Sequence, residues 1–198
     1  MMRYYEWSAN SEGNSSVDHL RIKGWKDDFA LAQRLYEGRP FGEGEWEQWA
    51  PADWSEDGPL TDLLFDPKFH VVSPRLKALL EGLGLGSEIQ FLPIRIKGEK
   101  SGRKIEGYSV ANFLRRIQCL DLEHSIGVEF YGPDWIRPEQ RGKIAGVWKA
   151  ALRKEAIGDA RLFRVDEWKY IVVIREDVKR AMEEAGITGC YFLELGVV

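Results

Sequence analysis

At 198 residues, 44% of them hydrophobic, the chain is long enough to bury a core without disulfide or metal staples, and it fits one domain. Its net charge of −4 and pI near 5.6 argue against a nucleic-acid binder, whose domain is usually basic. The unusual count is tryptophan: eight residues, three of them (Trp46, Trp49 and Trp54) within nine positions.

The N-terminal stretch MMRYYEWSANSEGNSS has no apolar core of the length a secretory signal needs, which predicts a cytoplasmic protein. Arg3 to Trp7 predicts a strand, and NSEGNSS a turn or loop. His19 to Trp25 follows as a second strand. DDFALAQRLYEG is a weak helix closed by Gly38 and Pro40. Residues 40–66 hold eight acids and no Lys or Arg, with three prolines, and predict a long ordered loop. No later stretch approaches the roughly 20 apolar residues that span a bilayer, so no membrane partner is expected.

From residue 69 the pattern sharpens. FHVV is a strand end. In SPRLKALLEGLG, Ser73 is placed as an N-cap and Pro74 at the first helical position, with Leu76, Leu79, Leu80 and Leu83 on one face. EIQFLPIRI is a strand, and IEGYSVANFLRRIQCLDLE one or two strands with a bend. YGPDWIRPEQRGK reads as a Pro/Gly turn. AGVWKAALRKEAIG is either helix or strand. ARLFRV and WKYIVVI are strands, EDVKRAMEEAG is a helix, and CYFLELG is the last strand. The segments beginning at Val71 and Val173 match at an offset of 102 positions, each running strand end, helix, glycine stop, apolar anchor, strand. These elements predict an α+β fold: a mixed or antiparallel sheet with two similar helix–Gly–strand units, about 73–96 and 175–195, packed on it. The domain reading is a single unit, 1–198, with an N-terminal portion spanning 1–66 and a core spanning 69–198.

Chemistry-bearing motifs are sparse. The histidines are His19, His70 and His124 alone, and no metalloprotease, nucleophile-elbow, Walker or dinucleotide motif is present. Cys119 and Cys190 have neither C-x-x-C nor zinc spacing and are expected to be buried small hydrophobes. In CLDLEHS a strand would place Cys119, Asp121 and Glu123 on one face and Leu120, Leu122 and His124 on the other. Those carboxylates, with His124 or His70, are the one candidate for a metal-dependent hydrolase. The preferred account is structural: a strand end with a solvated acidic face, where Asp121 caps a turn or pairs with Arg115 or Arg116. Catalytic and metal-ligating residues are therefore assigned as none, and no cofactor is expected.

Charge is segregated. Residues 95–116 carry seven bases (Arg95, Lys97, Lys100, Arg103, Lys104, Arg115 and Arg116) against Glu99 and Glu106, and residues 137–154 carry six against Glu139. These runs are what a regulatory nucleic-acid binder would use, although the acidic total disfavours it. The acidic segment suggests a docking surface made of Glu43, Glu45, Trp46, Glu47, Trp49, Asp53, Trp54, Glu56 and Asp57. Its aromatics would supply anchors and its carboxylates would steer a basic partner. The competing reading packs these tryptophans inward as a lid and leaves the acids as solvated cover.

Six segments in order, HVVSPRLKALLE, IQFLPIRI, GYSVANF, LDLEHS, RLFRV and IVVIREDVKRAMEEAGITGCYF, resemble a family of bacterial immunity proteins from polymorphic toxin systems. The family pattern runs vvSerlk, flPv, YyvlN, lDle.S, iFR and agitG..F, and the match covers about residues 69–193. The resemblance implies a cytosolic, non-enzymatic protein without a cofactor, which binds and neutralises a cognate toxin usually encoded beside it. It carries over no catalytic residues. One departure is local: the helix after Ile174 lacks the serine cap that Ser73 provides to its counterpart. A homodimer is left open by the Trp-rich surface.

Overall fold

The computed structural model describes residues 2–9, 20–22, 28–46, 50–54, 60–65 and 69–198. In chain order these form β1 (Tyr4–Ala9), β2 (Leu20–Ile22), α1 (Asp28–Tyr36), β3 (Ala50–Trp54), β4 (Leu63–Phe65), β5 (His70–Val72) and α2 (Pro74–Gly82). Then come β6 (Ile89–Gly98), β7 (Lys104–Ile105), β8 (Ser109–Phe113), β9 (Arg116–Ile117), β10 (Leu120–Ile126), β11 (Glu129–Phe130) and β12 (Ile144–Gly146). The chain ends with β13 (Lys149–Leu152), α3 (Lys154–Ile157), β14 (Leu162–Val165), β15 (Val172–Arg175), α4 (Glu176–Glu184) and β16 (Cys190–Val197).

The fold is α+β, built on two large sheets. One runs in the order β10-β13-β16-β1-β15-β14-β9 and is antiparallel except where β13 meets β16 and β14 meets β9. The other runs β2-β3-β6-β8-β5-β4, with β7 on β6, and its one parallel pair is β3 with β6. β11 and β12 form a separate two-stranded ribbon. The expectation of a single mixed or antiparallel sheet is corrected here to two sheets. The strand that follows α2 is central in the second sheet, whereas the strand that follows α4 lies in the first.

Strand alternation explains how two sheets share one interior. On β15, Val172 and Ile174 point into a middle core and Val173 into an outer one. On β8, Ala111 and Phe113 join the middle core while Val110 faces α1. Strands buried on both faces read as unbroken apolar runs such as IVVI, without the alternation of a half-exposed sheet. The middle core takes Tyr5 and Trp7 from β1, Leu76 and Leu80 from α2, and Val178 and Met182 from α4. Removing a buried leucine at such a site costs about 2–5 kcal/mol.

Helix α2 starts as its sequence dictates: the Ser73 hydroxyl accepts from the Leu76 amide at 3.1 Å and Pro74 follows the cap. Helix α4 has no side-chain cap at Arg175, and Glu176 and Asp177 in its first turn offer negative charge to the helix N-terminus instead. Both helices stop alike. Gly84 and Gly186 adopt positive φ, and the Leu85 and Ile187 amides donate back to Leu80 O and Met182 O at 3.1 and 2.9 Å.

Residues 40–66 depart from the predicted loop. Within them β3 pairs with β2 and β6, and β4 pairs with β5. Pro51 argues locally against a strand because it has no amide to donate. The ladder with β6, running from Ala50↔Ile94 to Trp54↔Gly98, is a tertiary effect that overrides that preference.

Candidate functional site

The acidic segment divides into an inside and an outside. The Trp46 and Trp54 rings are each 7% exposed and belong to the core beneath α1. Trp46 meets Phe41 edge to face at 5.3 Å and donates its Nε1–H to Pro93 O at 2.8 Å. These two rings therefore pack inward. The carboxylates stay out: Glu43 is exposed, and Glu45 is exposed while accepting from Arg34 and the Gly42 amide, each at 2.6 Å. The Arg34 bond, with the Gly42 amide, holds the Glu45 carboxyl below its usual pKa. Asp53 is half-buried. Glu47, Trp49, Glu56 and Asp57 lie outside the described residues.

The motif residues build joints. Asp62 Oδ1 accepts from the Ser73 hydroxyl at 2.7 Å, and Asp62 Oδ2 accepts from the Thr188 amide and hydroxyl, both at 3.0 Å. Burial alone would raise the Asp62 pKa, but these donors and the nearby Arg75 guanidinium hold it below the ordinary value. Arg75 donates to Ala185 O at 2.8 Å and to Gly186 O. The start of α2 is thus tied to the end of α4. Gly189 lies against the same joint: a Cβ there would sit 2.3 Å from Leu63 O, at φ +80°.

The CLDLEHS cluster is also structural. Asp121 Oδ1 accepts from the Glu123 and His124 amides at 2.9 Å each and lies 3.1 Å from His124 Nδ1. Ser125 Oγ donates to Asp121 O and accepts from the Ala151 amide at 2.9 Å. Together they loop the edge strand out, so pairing jumps from Asp121↔Ala151 to Ile126↔Lys149. The predicted two-face alternation fails there because the Asp121 turn replaces the ladder. Glu123 does not join Asp121 and His124 as a third ligand, and among the described residues no three His, Cys, Asp or Glu side chains are grouped to hold a metal. His70 lies in the core with Nε2–H donated to Trp7 O at 2.9 Å and rings of Trp7 and Phe113 each 5.1 Å away. Burial drives its pKa down to about 4, so it is neutral. Cys119 is buried, and Cys190 is half-buried and accepts from Trp7 Nε1. Burial raises both thiols, to about 12 and about 11, and neither is a nucleophile near neutral pH. Of the basic run 95–116, Arg115 pairs with Glu88 and Arg116 with Asp166.

Sequence reasoning missed the exposed apolar surface. Among the described residues, six large apolar side chains between positions 122 and 148 stand in solvent: Leu122, Ile126, Phe130, Trp135, Ile136 and Trp148. Ile136 is 85% exposed and Trp148 83%. They sit on an excursion built from the looped stretch of β10, the β11–β12 ribbon, the turn between its strands and the link to β13, where the Trp148 amide donates to Ile126 O at 3.1 Å. That turn is internally braced. The Tyr131 amide donates to Lys143 O and the Gly142 amide to Tyr131 O, both at 2.9 Å, and Trp135 stacks on Tyr131 at 4.9 Å while donating to Gln140 at 3.0 Å.

Beside the excursion opens a cleft of about 310 Å³ walled by Tyr36, Tyr131, Ile144, Trp168 and Tyr170. Tyr170 packs edge to face on Trp168 and Tyr36, at 4.7 and 5.1 Å. Behind Tyr36, the buried Arg164 guanidinium lies 5.5 Å from that ring and 5.3 Å from Phe113, and donates to Lys169 O. Burial pushes its pKa down to about 10, so it is still a cation. Helix α1 links the cleft to the acidic segment: Gln33 and Tyr36 line the cleft, and Arg34 binds Glu45. Composition alone signals aromatic residues here, but which of them face outward depends on the fold.

A model of the immunity protein family Imm11 matches residues 4–197. The resemblance carried by residues 69–193 thus extends over nearly the whole chain, and the chain belongs to that family. No curated protein matches it.

Proposed function

We propose that this Imm11-family chain neutralises one cognate toxin by binding and occluding it, without chemistry of its own. The observation that carries this reading is the family match from residue 4 to residue 197. The internal use of Asp121, His124 and His70 in turns and core packing is in keeping with it. The toxin is the protein encoded beside this chain, and the encounter takes place in the cytoplasm. No helix of the described residues is long and apolar enough to cross a membrane.

The acidic segment is proposed as the steering element of the contact. Glu43, Glu45 and Asp53, with Glu47, Glu56 and Asp57, would present negative charge, and Trp49 would add an anchor. Trp46 and Trp54 hold the segment down from inside. Steering of this kind acts on the association rate and weakens with salt. The test is co-expression with the neighbouring gene product in a growth-rescue assay, with the association rate measured for Glu43→Gln across salt concentrations. A rescued strain and a slower, less salt-sensitive variant are expected. Failure of rescue by the unaltered chain would overturn the proposal.

A further inference from the structure

We infer that the toxin seats on the excursion carrying Ile126, Phe130, Ile136 and Trp148, and that it presents an apolar surface with carboxylates facing Lys143 and Lys149. The inference rests on the immunity reading and adds which face docks and what that face recognises.

Three observations carry it. First, exposed large apolar side chains are concentrated here, and a soluble chain rarely presents such a cluster without a partner. Tryptophan in particular dominates protein–protein contacts when it becomes buried. Second, the charge of this surface is divided, with the exposed acids Glu123, Glu129 and Asp134 in its earlier part and exposed cations in its later part. Residues 137–154 hold six bases against one acid on a molecule of net charge −4. Arg141, Lys143 and Lys149 are exposed, and none of them has a carboxylate within ion-pair distance among the described residues. Arg141 donates to Trp135 O at 2.9 Å, and cations without a carboxylate at the Trp148 end of the surface fit carboxylates brought by the other protein. Third, the surface is held in shape before binding. The Tyr131–Lys143 and Gly142–Tyr131 backbone bonds and the Trp135–Gln140 bond fix the turn, so little ordering entropy remains to be lost on association.

The cleft supplies the seat for one inserted side chain. Its walls are aromatic, and its free charges are Glu139 and Lys143 at the excursion side. Glu167 and Lys169, which also border it, are engaged with Arg153 and Glu37 at 3.4 Å each. An apolar side chain of the toxin, with a neighbouring carboxylate reaching Lys143, meets both demands.

The experiment is a titration of the purified chain against the purified product of the neighbouring gene, with Trp148→Asp, Ile136→Asp and Lys143→Glu compared with the unaltered chain. Trp148→Asp and Ile136→Asp should each weaken the complex about 30-fold or more, the range of interface hot spots. Lys143→Glu should weaken it and reduce its salt dependence. All three should keep the unaltered thermal midpoint, because the substituted side chains are in solvent; Trp148→Ala provides a second variant should the aspartate perturb folding. A tight wild-type complex that none of the variants weakens overturns this surface and leaves the immunity reading in place. A dimer of this chain that Trp148→Asp dissolves, with toxin affinity unchanged, also overturns it. Absence of both complex and rescue for the unaltered chain overturns the two readings together.

Discussion

Asp62 and Thr188 lie 126 positions apart, and they are joined by two hydrogen bonds to one carboxylate oxygen, each 3.0 Å long. The other oxygen binds the cap of α2 through Ser73. One buried carboxylate therefore satisfies donors from two structural joints. Asp62→Ala would leave the Ser73 hydroxyl unmatched in the interior and would take from the exposed Thr188 the carboxylate that holds it. We expect a loss of about 3 kcal/mol in urea unfolding, as for charge-assisted bonds broken at a buried site. Thr188→Val removes one of the bonds and should cost about 1–2 kcal/mol.

The same carboxylate makes stability depend on acid. Asp62 and Asp177 both have folded pKa values below the unfolded value of 3.8, and Asp177 is held down to about 2, chiefly by its bond to Arg175 with help from Arg161. A group depressed in the folded state stabilises it above the unfolded pKa, and that contribution is lost as pH falls through the folded one. Stability should therefore decline below about pH 3.8, and the share due to Asp177 should vanish by about pH 2. In Asp177→Asn the unfolding free energy measured between those values should fall less steeply than in the unaltered chain. An equally steep fall would show that Asp177 does not contribute.

Gly189→Ala tests the close approach at the joint. Its Cβ would meet Leu63 O at 2.3 Å and Thr61 Oγ1 at 2.5 Å, at a φ that L-residues disfavour. Backbone must shift, so the cost should exceed the roughly 1–2 kcal/mol of the left-handed conformation alone. Thermal unfolding of the purified variant provides the measurement.

Trp46 and Trp148 separate interior from surface. Trp46→Ala empties a packed site and leaves Pro93 O without its donor, so it should cost about 3–5 kcal/mol. Trp148→Ala should change stability by less than about 0.5 kcal/mol. Denaturant midpoints of the two variants decide between these placements.

Local signals made several elements legible. Ser73 and Pro74 announced α2, glycines at 84 and 186 marked both helix stops, and the final strand begins at Cys190. The chemistry of a cap or a stop is contained within a few residues, so sequence carries it. β3 was not legible, because Pro51 speaks against a strand and the pairing with β6 is a property of the folded sheet. The division into two sheets was hidden for a related reason: a run such as IVVI records burial on both faces but not which sheet takes each face. At the candidate surface, tryptophan content drew attention to residues 46–54, yet the rings of Trp46 and Trp54 turn inward. The outward Ile136 and Trp148 sit in what reads as a Pro/Gly turn and an ambiguous strand. Direction is set by the Asp121 loop and the ribbon, which no single-residue signal reveals.

The most direct measurement of the central claim is co-purification of this chain with the product of the neighbouring gene, paired with growth of cells that express that product. The account predicts a stable complex and restored growth. A toxic neighbour that neither binds the unaltered chain nor is silenced by it would contradict the account.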